Sequence, residues 1–521
     1  MFSFHRFLVC LIFLLALTPS GVAQSRLTAE QWREDLRYFA ANMQKTHRNL
    51  FHSMTREQFE SAVKRLDERI PTMADHEIIV ELMRIVGMVG DGHTGVRINQ
   101  AFTSAYPVRL YFFKDGLFVQ GAAPEYREAV GGRVLRIGSS SVDQAIRAVS
   151  ELAWHDNEMG LKATTPRLLV IPEVLHALRI ADNLQSVQLE VEKDGRRISL
   201  ELKPTGQLRQ LIDQNPSTWI DARNSAAQTP LWLRDPHNNF WFQHLTGAEA
   251  ACAEGCEKGI AYVQFNAVQD RPPAGAKPGE TVEAFFTKVF DYVEANKIDK
   301  FVLDMRLNGG GNNYLNLPLT IGMIKSRVNK RGNLFVIIGR ETFSAAQNTV
   351  NELEKYTNAI FVGEPTAATP NHFGDARNVV LPNSKISIRA STLWWQDMDP
   401  RDTRKWTAPQ IAAELTSTDY KASIDPAMAA ILKFVPGNGL PQQLTSALKA
   451  GGYAAASKAY RSFREDPAHV YLEPEADVNR LGYELLRDQR LDEAIEIFKL
   501  NVEAFPRSAN TYDSLAEAYL A

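Results

Sequence analysis

The stretch Leu334-Phe-Val-Ile-Ile-Gly-Arg-Glu-Thr-Phe-Ser-Ala-Ala-Gln-Asn348 runs from five apolar residues through a glycine into a helical pattern. A run that short and that apolar suits a strand buried on both faces, and Ser344 stands where the next helix opens. Outward from it, Ile260 to Phe265, Phe301 to Met305 and Ala359 to Val362 are runs of the same kind, and segments of helical length separate the last three from Leu334 to Ile338. Strands alternating with helices predict right-handed βαβ crossovers and a largely parallel sheet. Sites in such sheets gather at the carboxyl ends of the strands. After the Phe301 run comes Arg306-Leu-Asn-Gly-Gly-Gly-Asn312, whose glycines let backbone N–H groups approach an anion or a developing oxyanion. The loop lacks the Lys-Ser/Thr of a P-loop and the spacing of a dinucleotide fingerprint. A serine at a helix start is most often a cap. In a parallel sheet, however, Ser344, the N–H of Ala345 and a glycine N–H share one edge and converge on one carbonyl.

Upstream, residues 26–90 read as helices. Thr28 with Gln31 and Thr55 with Gln58 form capping-box patterns ahead of the stripes Trp32, Leu36, Phe39, Met43 and Phe59, Val63, Leu66, Ile70. A third helix, about Asp75 to Met88, runs into Gly-Asp-Gly-His-Thr-Gly at 90–95. From about 105 to 204 the pattern is β: Val108 to Phe113, Leu117 to Val119, Arg133 to Ile137, Val187 to Val191 and Ile198 to Leu202. This order resembles a PDZ-like peptide-binding module, and an ordinary small β-domain fits the pattern nearly as well. Downstream, Val478, Leu481, Gly482 and Leu485 recur 34 residues later as Tyr512, Leu515, Ala516 and Tyr519, with Ala494, Phe498 and Pro506 between them. That period is the tetratricopeptide pattern. The second copy stops at Ala521 inside its first helix, which predicts a longer natural chain.

The 521 residues predict about three domains, and 45% hydrophobic with 23% charged residues is ordinary globular composition. A net charge of −3 lacks the basic excess of a dedicated nucleic-acid binder. Residues 473–521 carry eleven acidic and five basic side chains, which marks a separate C-terminal module. Arg6, the apolar run Phe7 to Leu17, the breakers Pro19 and Gly21 and small residues up to Ala23 have the order of a cleavable signal peptide. The run is too short to span a bilayer. The chain is therefore expected to be exported, periplasmic or secreted, with no stable membrane span after cleavage. In an oxidising compartment Cys252 and Cys256 form a disulfide or remain two thiols; without nearby His they fall short of a metal site.

Four motifs, Asp-Met-Arg-Leu-Asn-Gly-Gly-Gly at 304–311, Thr-Phe-Ser-Ala-Ala at 342–346, Val-Gly-Glu-Pro-Thr at 362–366 and Gly-Asp-Gly-His-Thr at 90–94, together resemble the tail-specific, or C-terminal processing, serine protease family. The most similar branch holds the tricorn core protease and interphotoreceptor retinoid-binding protein, and the likeness spans about residues 26–436. It implies a crotonase-like α/β core, no cofactor and peptide-bond hydrolysis through an acyl-serine. The nucleophile maps to Ser344, and the oxyanion donors map to Ala345 and to Gly309 or Gly310. One branch uses a lysine where this chain reads Phe373-Gly-Asp-Ala376, so that mechanism is excluded. The tricorn-like branch implies His93 as base, with His372 in reserve. Tricorn has a serine where Gly92 stands, and the acid that orients the histidine is open among Asp397, Asp402 and Asp91.

The expected layout is a signal peptide (1–23), an N-terminal helical region (24–100), a PDZ-like β-rich domain (101–205), an α/β serine protease core (206–436) and a C-terminal α-helical region (437–521) with tetratricopeptide repeats at 474–521. The expected function is an exported serine peptidase acting on a peptide or protein substrate, with a protein partner recruited through the repeats. The alternative is a catalytically inactive peptide- or ligand-binding protein on the same fold. Two clusters stay open: Lys325, Arg327, Lys330 and Arg331 are a solvated helix end or an attractor for a peptide carboxylate. Trp394, Trp395 and Trp406 line a substrate pocket or pack the core.

Overall fold

The computed structural model describes residues 27–206, 208, 218–223, 227–250, 252, 256–270, 279–437 and 439–521. The leader expected over 1–23 lies outside these residues. The chain opens with α1 (Ala29–Thr46), α2 (Arg56–Arg69) and α3 (Asp75–Gly87). Both expected capping boxes are formed, Thr28 with Gln31 and Thr55 with Gln58. They satisfy backbone N–H groups that a helix start leaves without partners. After the Gly-rich loop comes β1 (Gly95–Val96).

A mostly antiparallel sheet follows, in the order β2 (Val108–Phe113), β3 (Gly116–Ala122), β4 (Arg133–Ile137), β5 (Val187–Lys193), β6 (Arg196–Leu202). Helices α4 (Val142–Ser150) and α5 (Glu158–Leu168) pack on it. Helices α1–α3 and this sheet share one apolar cluster, which also takes in Val379, Leu381, Ile386, Ile388 and Ala390 from far downstream. That return of the chain is what ties the loop at 90–95 to the rest of the molecule.

The central sheet contains β7 (Phe240–Leu245), β8 (Ile260–Phe265), β9 (Lys300–Asp304), β10 (Leu334–Ile338) and β11 (Ile360–Gly363). Helices α6 (Val282–Asn296), α7 (Leu317–Lys325) and α8 (Ala345–Tyr356) lie between these strands in the chain. The small strands β12 (His372–Gly374), β13 (Arg377–Val380), β14 (Ser387–Ala390) and β15 (Leu393–Trp395) come next, then β16 (Ile411–Ala412), which completes the order β16-β11-β10-β9-β8-β7. All neighbours in it are parallel except β7 with β8. The period of two sends Ala261, Val263, Phe301, Leu303, Val336 and Ile338 to the face covered by α6–α8. Tyr262, Val302, Phe335, Ile337 and Val362 go to the other face, against α9 (Pro426–Lys433). With both faces covered, β10 and β11 read as unbroken apolar runs, while β8 and β9 bury Gln264, Lys300 and Asp304 among theirs. Cys252 and Cys256 are joined in a disulfide that packs on this second face.

The C-terminal helices are α10 (Leu440–Glu465), which breaks at Gly451 and Gly452, then α11 (Glu475–Arg487), α12 (Leu491–Ala504) and α13 (Ala509–Leu520). They form their own apolar cluster. A Cβ at Gly482 would sit 2.5 Å from the Phe498 ring, so a small residue is required where α11 and α12 cross. Among the described residues no helix is long and apolar enough to cross a membrane.

Candidate active site

The loop after β9 and the loop after β10 meet at one edge of the parallel sheet. Met305 N–H donates to the Ile337 carbonyl at 2.8 Å, the Thr342 hydroxyl to the Met305 carbonyl at 2.9 Å, and Phe343 N–H to the Asn308 carbonyl at 3.1 Å. The Asn308 side chain is fully buried; its Nδ2 donates to the Phe265 carbonyl at 2.8 Å, and its Oδ1 accepts the N–H of Gly310 at 2.9 Å. The last bond corrects one expectation. The Gly310 amide is engaged within its own loop, so the free donors at this edge are the N–H groups of Gly309 and Ala345, neither of which is hydrogen-bonded among the described residues. Gly310 serves by its size instead: with φ at +99°, a Cβ there would lie 2.7 Å from Ser344 Cβ and 2.9 Å from Ala345 N.

Ser344 caps nothing. Its side chain makes no bond to the start of α8, and its backbone is held at φ +57°, ψ −127°. A non-glycine residue in that region costs about 1–3 kcal/mol and persists only where its surroundings over-determine it. The strained turn aims the hydroxyl away from the helix. Its partner is His93, whose Nε2 lies 2.8 Å from Ser344 Oγ. The sequence-predicted pair, 251 residues apart, is thus brought together.

The loop carrying His93 is fastened at several points. The Asp91 carboxylate accepts the N–H of His93 and of Thr94, the hydroxyl of Ser391 (each at 2.8 Å) and, through Oδ2, His47 Nε2 at 2.7 Å. Burial raises the Asp91 pKa, but the bond and charge of His47, with Thr94 and Ser391, outweigh it and hold the carboxyl well below its usual range. On the other side, Gly92 N–H donates to Asp156 Oδ1 at 2.6 Å, while Asp156 Oδ2 is buried with no partner. Burial, with the charge of Asp91, pushes Asp156 up to about 7. A Cβ at Gly92 would meet the Phe343 ring at 2.6 Å. Phe343 stacks on His93 with centroids 4.4 Å apart, so the ring of residue 343 occupies the space a serine before the histidine would need.

His93 is 5% exposed, and its buried Nδ1 has no side-chain partner among the described residues; the backbone of Phe373 is the acceptor that acts on the ring. Burial, followed by the charges of His372 and Arg389, lowers its pKa to about 3. It is therefore a neutral imidazole with Nε2 facing the serine. None of the three acids weighed for it touches the ring. Asp402 is ion-paired with Arg404 at 2.7 Å, Asp397 lies against Asn351 and Lys355, and Asp91 holds the backbone. His372, the reserve base, stacks parallel to His93 at 5.8 Å with its Nδ1 3.2 Å from the Thr369 carbonyl, away from Ser344.

The two open clusters resolve differently. Lys325, Arg327, Lys330 and Arg331 precede β10, at the opposite edge of the sheet from Ser344, and Arg327 is spent on the carbonyls of Val293 and Ile298. Their attraction for a substrate carboxylate at this site is ruled out by that placement. Trp394 is 44% exposed beside Phe373 and lines a cavity with His52 and Asp156. Trp395 donates to Asp375 at 2.7 Å, and Trp406 packs edge-on to Tyr471. His47, Ser391, Asn308 and Asp156 escaped sequence reading because each lies outside a motif's reacting positions. Among the described residues no group of three or more His, Cys, Asp and Glu side chains is placed to hold a metal ion.

No family model and no curated protein matches the sequence. Solved structures do. A serine-to-alanine mutant of CPAF superposes with a TM-score of 0.55 at 12% identity, over 81% of this chain and 98% of that one. Mature CPAF superposes at 0.51 and 13% identity, over 76% of this chain and 94% of that one. The tricorn protease is also matched, at 0.31 and 13% identity, over 77% of this chain and 36% of that one. At these identities the CPAF likenesses show a shared fold.

Proposed function

We propose that this chain is an exported serine peptidase of the tail-specific type, hydrolysing peptide bonds through an acyl-serine. The observation that carries the reading is the 2.8 Å contact between His93 Nε2 and the hydroxyl of a strained Ser344, beside two free backbone N–H groups. The Ser344 oxygen attacks the substrate carbonyl while its proton passes to His93 Nε2. The developing oxyanion is met by the N–H groups of Ala345 and Gly309, which need no reorganisation to receive it. His93 then returns the proton to the leaving amine, and a water activated by the same nitrogen releases the acyl group. The shared fold with CPAF and the motif resemblance support this assignment, a crotonase-like core and a PDZ-like β2–β6 unit; the 34-residue period and the close crossing of α11 and α12 at Gly482 support tetratricopeptide repeats over 474–521 that recruit a protein partner. Export rests on the leader at 1–23.

The lack of a carboxylate on His93 Nδ1 favours one second reading: a binding protein on the same architecture that no longer turns over substrate. Incubating peptides with the wild type and with Ser344→Ala decides between them. The peptidase reading requires cleavage by the first and none by the second; binding without cleavage by both would establish the alternative.

A further inference from the structure

Beside His93 opens a small cavity of about 190 Å³, separate from the one lined by Trp394. Its walls include His93, Trp154, Leu208 and three arginines, Arg97, Arg167 and Arg389, and among the described residues no carboxylate lines it. Arg389 sits on β14 opposite Gly95, two residues beyond His93. Arg97 donates to Asn378 at 3.3 Å, and Arg167 lies 3.7 Å from Glu341. The Arg389 guanidinium has no hydrogen-bond or ion-pair partner among the described residues. Asp91 is the acid that acts on it, but the Asp91 carboxylate is taken up by His47, Ser391 and two backbone N–H groups. Burial, reinforced by Arg97, holds the Arg389 pKa below the usual arginine value, as expected of a partly desolvated cation without a counter-charge.

A half-buried arginine beside the His93 ring, with no carboxylate of the described residues paired to it, is a cation left free to receive an anionic ligand. The planar guanidinium fork matches a carboxylate in two parallel bonds. We propose that Arg389, flanked by Arg97 and Arg167, is a subsite for a carboxylate carried by the substrate peptide next to the bond cleaved at Ser344. This rests on the peptidase reading and names its substrate class: peptides with an acidic side chain close to the scissile bond. A bound carboxylate also offsets the field of Arg389 on His93, so the same contact that selects the substrate makes the imidazole a better base.

The test compares quenched fluorescent peptides carrying Glu, Gln or Lys beside the cleaved bond, each with a free or an amidated C-terminus, on wild type, Arg389→Gln and Arg389→Glu. One charged hydrogen-bonded contact predicts a preference of about tenfold or more in kcat/KM for the carboxylate-bearing peptide. The preference sits mainly in KM, falls to within about twofold in R389Q and turns towards Lys in R389E. Dependence on Glu supports the site, and dependence on the free terminus alone overturns it. Equal rates for all wild-type substrates, or a preference that survives R389Q, overturns it. Should R389Q not fold, Arg97→Gln, on an exposed side chain, is expected to weaken the preference, and no change overturns the site. Binding of the same peptides to Ser344→Ala reads the subsite without turnover: Glu over Gln discrimination there with no cleavage by wild type would sink the peptidase reading and leave the carboxylate site standing.

Discussion

The Asp91 carboxylate takes the backbone N–H of His93 at 2.8 Å and leaves the imidazole ring alone. In a Ser-His-Asp triad the acid holds the ring by Nδ1 and fixes its tautomer. Here the acid fixes the loop, and the ring is placed by Phe343 stacked on it and by Ser344 at its Nε2. Asp91 and His47 therefore position the loop, and under the proposed mechanism His93 would act without a carboxylate on its far side.

Replacing Asp91 by Asn removes the charge from a buried pair with His47 and weakens the contacts to His93, Thr94 and Ser391. Breaking such a pair costs about 3–5 kcal/mol. Denaturant unfolding of D91N is expected to show a loss of that order, whereas Ser391→Ala, which removes one hydrogen bond, costs about 1 kcal/mol. Because the Asp91 pKa is depressed in the folded state, its contribution is fully present above its unfolded value near 4 and is lost only as pH falls below that.

His93→Gln is expected to lower kcat by about 10²–10⁴-fold with KM little changed. The ring is neutral above a pKa of about 3, so the base form is present across pH 5–7. The acidic limb of kcat/KM, which reports the free enzyme, is expected well below pH 5. A limb near 6.5 would show that the imidazole is not desolvated as found here.

Asp156 supplies a pH signature of its own. Its folded pKa of about 7 lies above the unfolded value near 4, so between these two the folded state keeps a proton that the unfolded state has lost. Stability then falls as pH rises from about 4 to 7. Asp156→Asn, which keeps the acceptor for Gly92 N–H, is expected to be more stable than wild type at pH 8 by on the order of 4 kcal/mol, with the gap closing near pH 4. Thermal unfolding at the two pH values checks it, and a constant gap would contradict it.

Gly310→Ala puts a methyl group 2.7 Å from Ser344 Cβ and 2.8 Å from the Phe343 carbonyl, at a φ of +99°. Activity is expected to fall by more than about tenfold, while Gly309→Ala, with open space around its Cβ, perturbs the loop far less. Rates of the two variants side by side measure the difference.

Much of this was legible in the sequence. The strands Ile260–Phe265 and Leu334–Ile338 stand where the apolar runs put them, because a strand buried on both faces is apolar almost throughout, Gln264 apart. Strands β7 and β16 were missed: one alternates with the polar Gln243 and His244 at the sheet edge, and the other is two residues long. The motifs led to His93 and Ser344, yet most of their other residues turn out to build the scaffold. Arg306 clamps Asp425, and Glu364 pairs with Arg340. What the sequence hid were contacts made only when distant segments meet. Ser391 reaches Asp91 across 300 residues, and Arg389 reaches the His93 cavity because β14 pairs with β1.

The most direct measurement is mass spectrometry of the full chain after reaction with a fluorophosphonate probe. A serine activated by His93 is expected to carry the adduct at Ser344, to lose it in His93→Gln, and to show peptide cleavage that disappears in proportion to labelling. An unlabelled Ser344 in a folded chain, or peptide cleavage that persists in Ser344→Ala, would contradict the account.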